Sequence, residues 1–279
     1  MRLTIRDIQK MVVDSIPIPM LTAYDATSAR LSDLAGVPMI LVGDSLGMVV
    51  QGHPDPIPVT LDHIIYHCQI VMRVTTHPFV VGDMPFMSYN VSPEQAIHNA
   101  ARLMQEGRVN AVKMEGGEYL APTIARIVQS GIPVMGHVGL TPQSVNKLGG
   151  MRLQGKDVES ARQVLRDAKA VQDAGAFAIV LEAIPAPLAK IVTEKLVIPT
   201  IGIGAGPDCD GQVQVFHDLV GLFEEFVPRH AKQYVQLAPL IRDAISSYVA
   251  EVEAKQFPDE GHSFSMKEDI LAVLQAEEV

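Results

Sequence analysis

The chain has no tryptophan and only two cysteines, Cys68 and Cys209, and each scarcity removes possibilities. Two distant cysteines without a Cys-x-x-Cys pair exclude a disulfide-built scaffold and a cysteine zinc knuckle, and they suit a reducing cytoplasm. Charge is scarce too. Asp, Glu, Lys and Arg make up 19% of the 279 residues, against 48% hydrophobic. A chain that apolar needs a large core, and a buried subunit interface is expected as well. The formal net charge of −10 excludes an extended polyanion such as nucleic acid as the expected partner. No apolar run approaches the roughly 20 residues that a membrane span takes. Met1 to Lys10 mixes both charge signs without an apolar stretch, so no secretory leader is expected. What remains is a cytoplasmic α/β protein, read as a single domain over residues 1–279.

Present instead are eight short apolar runs separated by longer helical patterns. The runs are Pro19–Ala23, Met39–Gly43, Phe79–Gly82, Ala111–Met114, Pro133–Gly136, Phe177–Leu181, Pro199–Gly202 and Gln214–His217. They are near-continuous rather than alternating, as parallel strands covered on both faces should be. Ser92 followed by Pro93 opens a helix expected to run to Glu106 and stop at Gly107, and Lys156–Ala174 is another, closed by Gly175. Eight strand–helix units in about 280 residues predict a (β/α)8 (TIM) barrel. A doubly wound sheet would carry its glycine-rich turn after the first strand. Here the only such loop, Gly202-Ile-Gly-Ala-Gly206, follows the seventh. Residues 4–11 read as a short helix plugging the barrel base. The chain after Phe226 reads as extra C-terminal helices packed outside the barrel.

Barrel enzymes work at the carboxyl ends of their strands, and here those ends are polar: Asp44 and Ser45, Asp83, Lys113 and Glu115, His137, Glu182. A single Asp after a strand is usually a turn former. Several acids and a lysine on one rim need partners if buried, which a turn does not explain. Asp44, Asp83 and Glu115 are hard oxygen donors without a His or Cys cluster, a set that suits Mg2+ rather than zinc. Lys113 and Glu115, two apart on one strand, share a face. Lys113 could bind substrate oxygen or balance the acids. Glu182 stands apart from the cluster and is either a free proton acceptor or a structural carboxylate. His137 could contact substrate or brace a metal carboxylate from behind. The glycines at 202, 204 and 206 permit close approach of a ligand or simply a tight turn. His217 and Asp218 end the eighth run with no assigned role.

Several longer stretches resemble one family. Leu21–Asp25, Leu41–Met48, Pro58–Thr60, Val112–Gly117, Val134–Gln143, Gly202–Gln212 and Phe257–Phe264 are similar to ketopantoate hydroxymethyltransferases. The resemblance spans nearly the whole chain. It implies transfer of a hydroxymethyl group from 5,10-methylenetetrahydrofolate to 3-methyl-2-oxobutanoate, giving 2-dehydropantoate for pantothenate synthesis through a Mg-stabilised enolate. It also implies Asp44, Asp83 and Glu115 as Mg2+ ligands, Ser45, Asp83 and Lys113 as oxo-acid contacts with Asp44 beside them, and Glu182 as proton acceptor. Only Ser45 would otherwise have passed as a turn residue. A cytoplasmic homo-oligomer, a decamer of stacked pentamers, is implied as well. Two rivals differ in testable ways. Lyases and mutases of the phosphoenolpyruvate mutase group often carry a lid with a Lys-Lys-Cys-Gly-His-like run, which is missing here. A non-catalytic metabolite sensor would be expected to lose a ligand or the base.

Overall fold

Eight parallel strands close on one another in chain order. They are β1 (Ile18–Thr22), β2 (Met39–Val42), β3 (Phe79–Asp83), β4 (Ala111–Glu115), β5 (Val134–Gly139), β6 (Ala178–Glu182), β7 (Thr200–Ile203) and β8 (Gly211–Gln214). The structure, a computed structural model, describes residues 1–277. Seven strands fall where the apolar runs predict, within a few residues.

The eighth does not. It precedes the expected Gln214–His217 by three residues, because closure requires Gly211 opposite Ile18 of β1. A Cβ at 211 would stand 2.3 Å from the Ile18 carbonyl oxygen, so only glycine lets the two backbones meet. The strand reads Gly-Gln-Val-Gln and has no apolar run to betray it. After it the Phe216 N–H donates to Thr22 Oγ1 at 2.9 Å, and the chain turns into a short helix, Phe216–Leu219. His217 and Asp218 therefore sit in a helical turn, not at a strand end.

Helices follow the expected caps. Ser92 Oγ accepts from the Gln95 N–H to start Pro93–Gln105, and Asp157 accepts from the Ser160 N–H to start Val158–Asp173. The N-terminal helix, Ile5–Val13, inserts a fully buried Ile8 among residues near the strand beginnings, including Ile18, Met39, Phe79 and Phe177. It plugs the base as expected.

Strand alternation then decides what reaches the other end. Phe79 and Val81 face the lumen, which carries Asp83 inward as the next residue of that row. Ala111 leads to Lys113 and Glu115, Met135 to His137, and Ala178 and Val180 to Glu182. Apolar layers fill the lower barrel and charge collects at its mouth.

The segment after Phe226 contains the helices Leu237–Glu253 and Glu268–Gln275, but they do not pack as expected. Neither buries a single side chain.

One contact sets the helix distance. A Cβ on Gly136 of β5 would lie 2.3 Å from Val171 Cγ1 of the Val158–Asp173 helix. Gly136→Ala should lower stability by about 1–3 kcal/mol through overpacking. A urea unfolding midpoint equal to that of the wild type would contradict this contact.

Candidate active site

The inward rows converge on one cavity at the carboxyl ends of the strands, lined by Asp44, Ser45, Asp83, Lys113, Glu115, His137 and Glu182 among others. Every residue singled out from the sequence as a site residue reaches it.

Lys113 is the hub. Its ammonium donates to both carboxylate oxygens of Asp83, at 2.7 and 2.8 Å, and lies 3.8 Å from Glu115 Oε1. Asp83 in turn accepts from the Asp44 backbone N–H at 3.2 Å. Burial would lower the Lys113 pKa, but Asp83 and Glu115 raise it above its ordinary value, so the lysine stays charged. The acids divide. Burial, then the charges of Asp83 and Glu115, push the Asp44 carboxyl well above the usual carboxylate range. Burial raises Asp83 too, against the pull of Lys113. Burial also works on Glu115, yet His137 and Lys113 together hold it below its ordinary value.

His137 stands between two carboxylates. Its Nδ1 lies 3.3 Å from Glu115 and its Nε2 3.1 Å from Glu182. Both approaches are poorly aligned with the ring for hydrogen bonding, so they act chiefly through charge. Burial alone would lower the imidazole, but the two glutamates push it up to about 9. Glu182 pairs with a histidine, and its side chain remains 15% exposed toward the cavity, whereas those of Glu115 and Asp83 are closed off.

Sequence reasoning missed the residues that hold the acids from behind. Gln143 Nε2 donates to Asp44 Oδ2 at 2.7 Å and to the Met84 carbonyl at 3.0 Å, and its backbone N–H donates to Glu115 Oε2 at 3.1 Å. Its own carbonyl accepts from Tyr89 Oη at 2.6 Å. Ser45 Oγ is held by Tyr24 Oη at 2.7 Å. Gln143 closes the Val134–Gln143 motif, and that motif was its only signal. Tyr89 had none. His230, from the loop after the barrel, also lines the cavity and had no signal either.

The oxygen donors gathered here are of the kind a hard cation takes. Three buried carboxylates share one lysine, and their mutual repulsion shows in Asp44. Among the described residues no group of three or more His, Cys, Asp or Glu side chains is placed to hold a metal ion by itself. An oxygen-seeking cation that keeps water and substrate in part of its shell matches that arrangement.

Solved structures share the barrel. A phosphonopyruvate hydrolase, in complex with oxalate and Mg++, matches with a TM-score of 0.62 at 12% identity, over 98% of this chain and 96% of that one. A phosphoenolpyruvate phosphomutase from Streptomyces platensis subsp. rosaceus matches with 0.62 at 14%, over 98% and 94%. Identity that low carries the fold alone. Sequence relatives carry more. Proteins called 3-methyl-2-oxobutanoate hydroxymethyltransferase are 57% identical over 272 residues in Chloroflexus aggregans, covering 98% of this chain and 97% of the relative. In Carboxydothermus hydrogenoformans the figure is 51% over 270 residues, covering 97% and 98%. Residues 2–260 match the family described as ketopantoate hydroxymethyltransferase, and the chain belongs to that family.

Proposed function

We propose that the protein transfers a hydroxymethyl group from 5,10-methylenetetrahydrofolate to 3-methyl-2-oxobutanoate, giving 2-dehydropantoate, with Mg2+ held by Asp44, Asp83 and Glu115. One observation carries this reading: a cation-seeking acid cluster and a separate, accessible carboxylate, Glu182, face one cavity in a chain of this family. The cavity, about 190 Å3 and open at its mouth, has room for a small oxo acid. Mg2+ bound at the cluster would draw charge from the keto oxygen and so acidify the neighbouring C–H. Lys113 and Ser45 bind and orient the oxo acid. Glu182 takes the proton from C3, and His137 fixes that carboxylate by charge. The free thiols of Cys68 and Cys209 suit the reducing cytoplasm as the place of reaction.

The carbon acid step should run without folate. In heavy water, Mg2+ and 3-methyl-2-oxobutanoate, the enzyme should wash deuterium into C3. Glu182→Gln keeps the shape and should slow this exchange and the full reaction by roughly 10²- to 10⁴-fold. Exchange by the Gln variant at the wild-type rate, followed by NMR, would remove Glu182 as the base.

The acid cluster yields a stability test alongside a binding test. Asp83→Asn and Glu115→Gln should weaken Mg2+ binding, read by calorimetry, and lower turnover by orders of magnitude. In metal-free protein the folded pKa of Asp44 lies above its unfolded value of about 3.9. Folding then favours the protonated form, and this group costs stability as pH rises through that window. Asp44→Asn should therefore gain on the wild type as pH rises, by roughly 2–4 °C in Tm per kcal/mol of repulsion removed. Mg2+ should reverse the order. Equal Tm values at all pH, with and without Mg2+, would refute the cluster's role.

A homo-oligomer larger than a dimer, a decamer by family resemblance, is part of the proposal. The Leu237–Glu253 helix leaves Leu240, Ile241, Ile245, Tyr248 and Val249 each more than 40% exposed, an apolar face that an isolated chain does not cover. Light scattering at micromolar concentration should give a mass above that of a dimer, and a monomer would contradict it.

A further inference from the structure

Beyond the barrel, residues 222–236 form a loop tied back to the short Phe216–Leu219 helix. The Tyr234 N–H donates to the Leu219 carbonyl at 2.9 Å, and the Leu237 N–H to that of Val220 at 3.0 Å. From this loop His230 turns into the mouth of the cavity, on the side lined by Ile203, Val213 and Val215. Its ring rests on the Gly202–Gly206 turn. A Cβ at Gly204 would meet Nδ1, Cγ and Cβ of His230 at 3.1–3.3 Å, and Gly204 has a φ of +64°. Glycine there answers both needs, the backbone turn and the seat for the ring. The imidazole is half-buried. Burial lowers its pKa and the nearby Glu182 carboxylate pulls the other way, so the ring rests neutral beside the base.

The lining is lopsided. Asp44, Asp83, Lys113, Glu115 and His137 crowd the β2–β5 side, which takes the oxo acid. On the opposite side, among the described residues, Glu182 and His230 are the ionisable lining groups, in a wall that is apolar apart from Thr22 and Gln214. A flat heteroaromatic donor fits an apolar wall, and its chemistry there needs proton transfer.

Taking the hydroxymethyl transfer proposed above as the reaction, the donor's methylene carbon is bonded to two amine nitrogens and must leave both. Water supplies the oxygen. A C–O bond forms at the methylene carbon and each C–N bond breaks, its electron pair staying on nitrogen. The two water protons end on the two nitrogens, and the carbon is released at the oxidation level of formaldehyde. The C3 carbanion then adds to that carbon. The proton Glu182 took from C3 finishes on the new hydroxyl, so atoms and charge balance.

We propose that His230 is the catalytic residue that carries protons in this release, taking one from the attacking water and giving it to a departing amine nitrogen. A neutral imidazole starts in the right form to accept first and donate second. Glu182 is then left to serve the oxo acid.

Free formaldehyde is the discriminating probe, because it needs no amine to leave. His230→Phe keeps a flat ring on Gly204 without a transferable proton, and His230→Gln guards against a packing defect peculiar to Phe. For each, kcat is measured at saturating methylenetetrahydrofolate and at saturating formaldehyde, with C3 deuterium exchange monitoring the integrity of the oxo-acid site. Both variants should lose at least about tenfold more kcat with the folate donor than with formaldehyde, within the usual worth of a proton-transferring group. Equal losses with both donors, no loss, or a change confined to the KM for folate would overturn the assignment. Wild-type protein that condenses neither donor would instead sink the reading of the activity, and the role of His230 with it.

Discussion

The Lys113–Asp83 ion pair is the contact on which the rest of the site depends. Removing a lysine and a carboxylate from water costs several kcal/mol each, and the cost is offset only when geometry and hydrogen bonding are good. Here both carboxylate oxygens of Asp83 accept from the ammonium. One of them also accepts from the Asp44 backbone. The pair thus joins β3 to β4 and fixes the chain leaving β2. It also places the ammonium where it reaches Glu115 on its own strand. Without that ammonium Asp83 would keep only the Asp44 N–H as a donor.

Around the pair, the neutral hydrogen-bonding side chains do what a second cation would do in a more charged protein. Gln143 spans two acids with a side-chain donor and a backbone donor, and Tyr89 fixes its amide. These bonds orient the carboxylates without adding a charge of their own. His137 divides the site in two. On one side it lowers the proton affinity of Glu115. On the other it meets Glu182, which keeps the access to the cavity that a proton acceptor needs.

Much of this was legible in the residues alone. The near-continuous apolar runs mark parallel strands, and period-two alternation settles which side chains face inward once one of them is known to do so. Lys113 and Glu115 share a face by spacing alone, and the 3.8 Å contact follows from it. The eighth strand was not legible in place. Its Gly-Gln-Val-Gln is defined by pairing with β1, and pairing between residues nearly two hundred positions apart leaves no local trace. The C-terminal helices were legible as helices, but an apolar face does not say what covers it.

The order of strands, the inward rows and the identity of the acids were therefore determined by the sequence, because each depends on local pattern or on a side chain's own chemistry. Only the tertiary structure decided which protons those acids hold and which groups brace them. Burial and then repulsion raise Asp44, while His137 and Lys113 lower Glu115 against burial, and that division is set by distances across four strands. Gln143 and Tyr89 are 54 residues apart yet share one hydrogen bond. His230 reaches the mouth only because a loop beyond the barrel folds back over a glycine turn. Electrostatics and close packing fall off steeply with distance, and distance between remote residues is what a linear chain leaves unspecified until it folds.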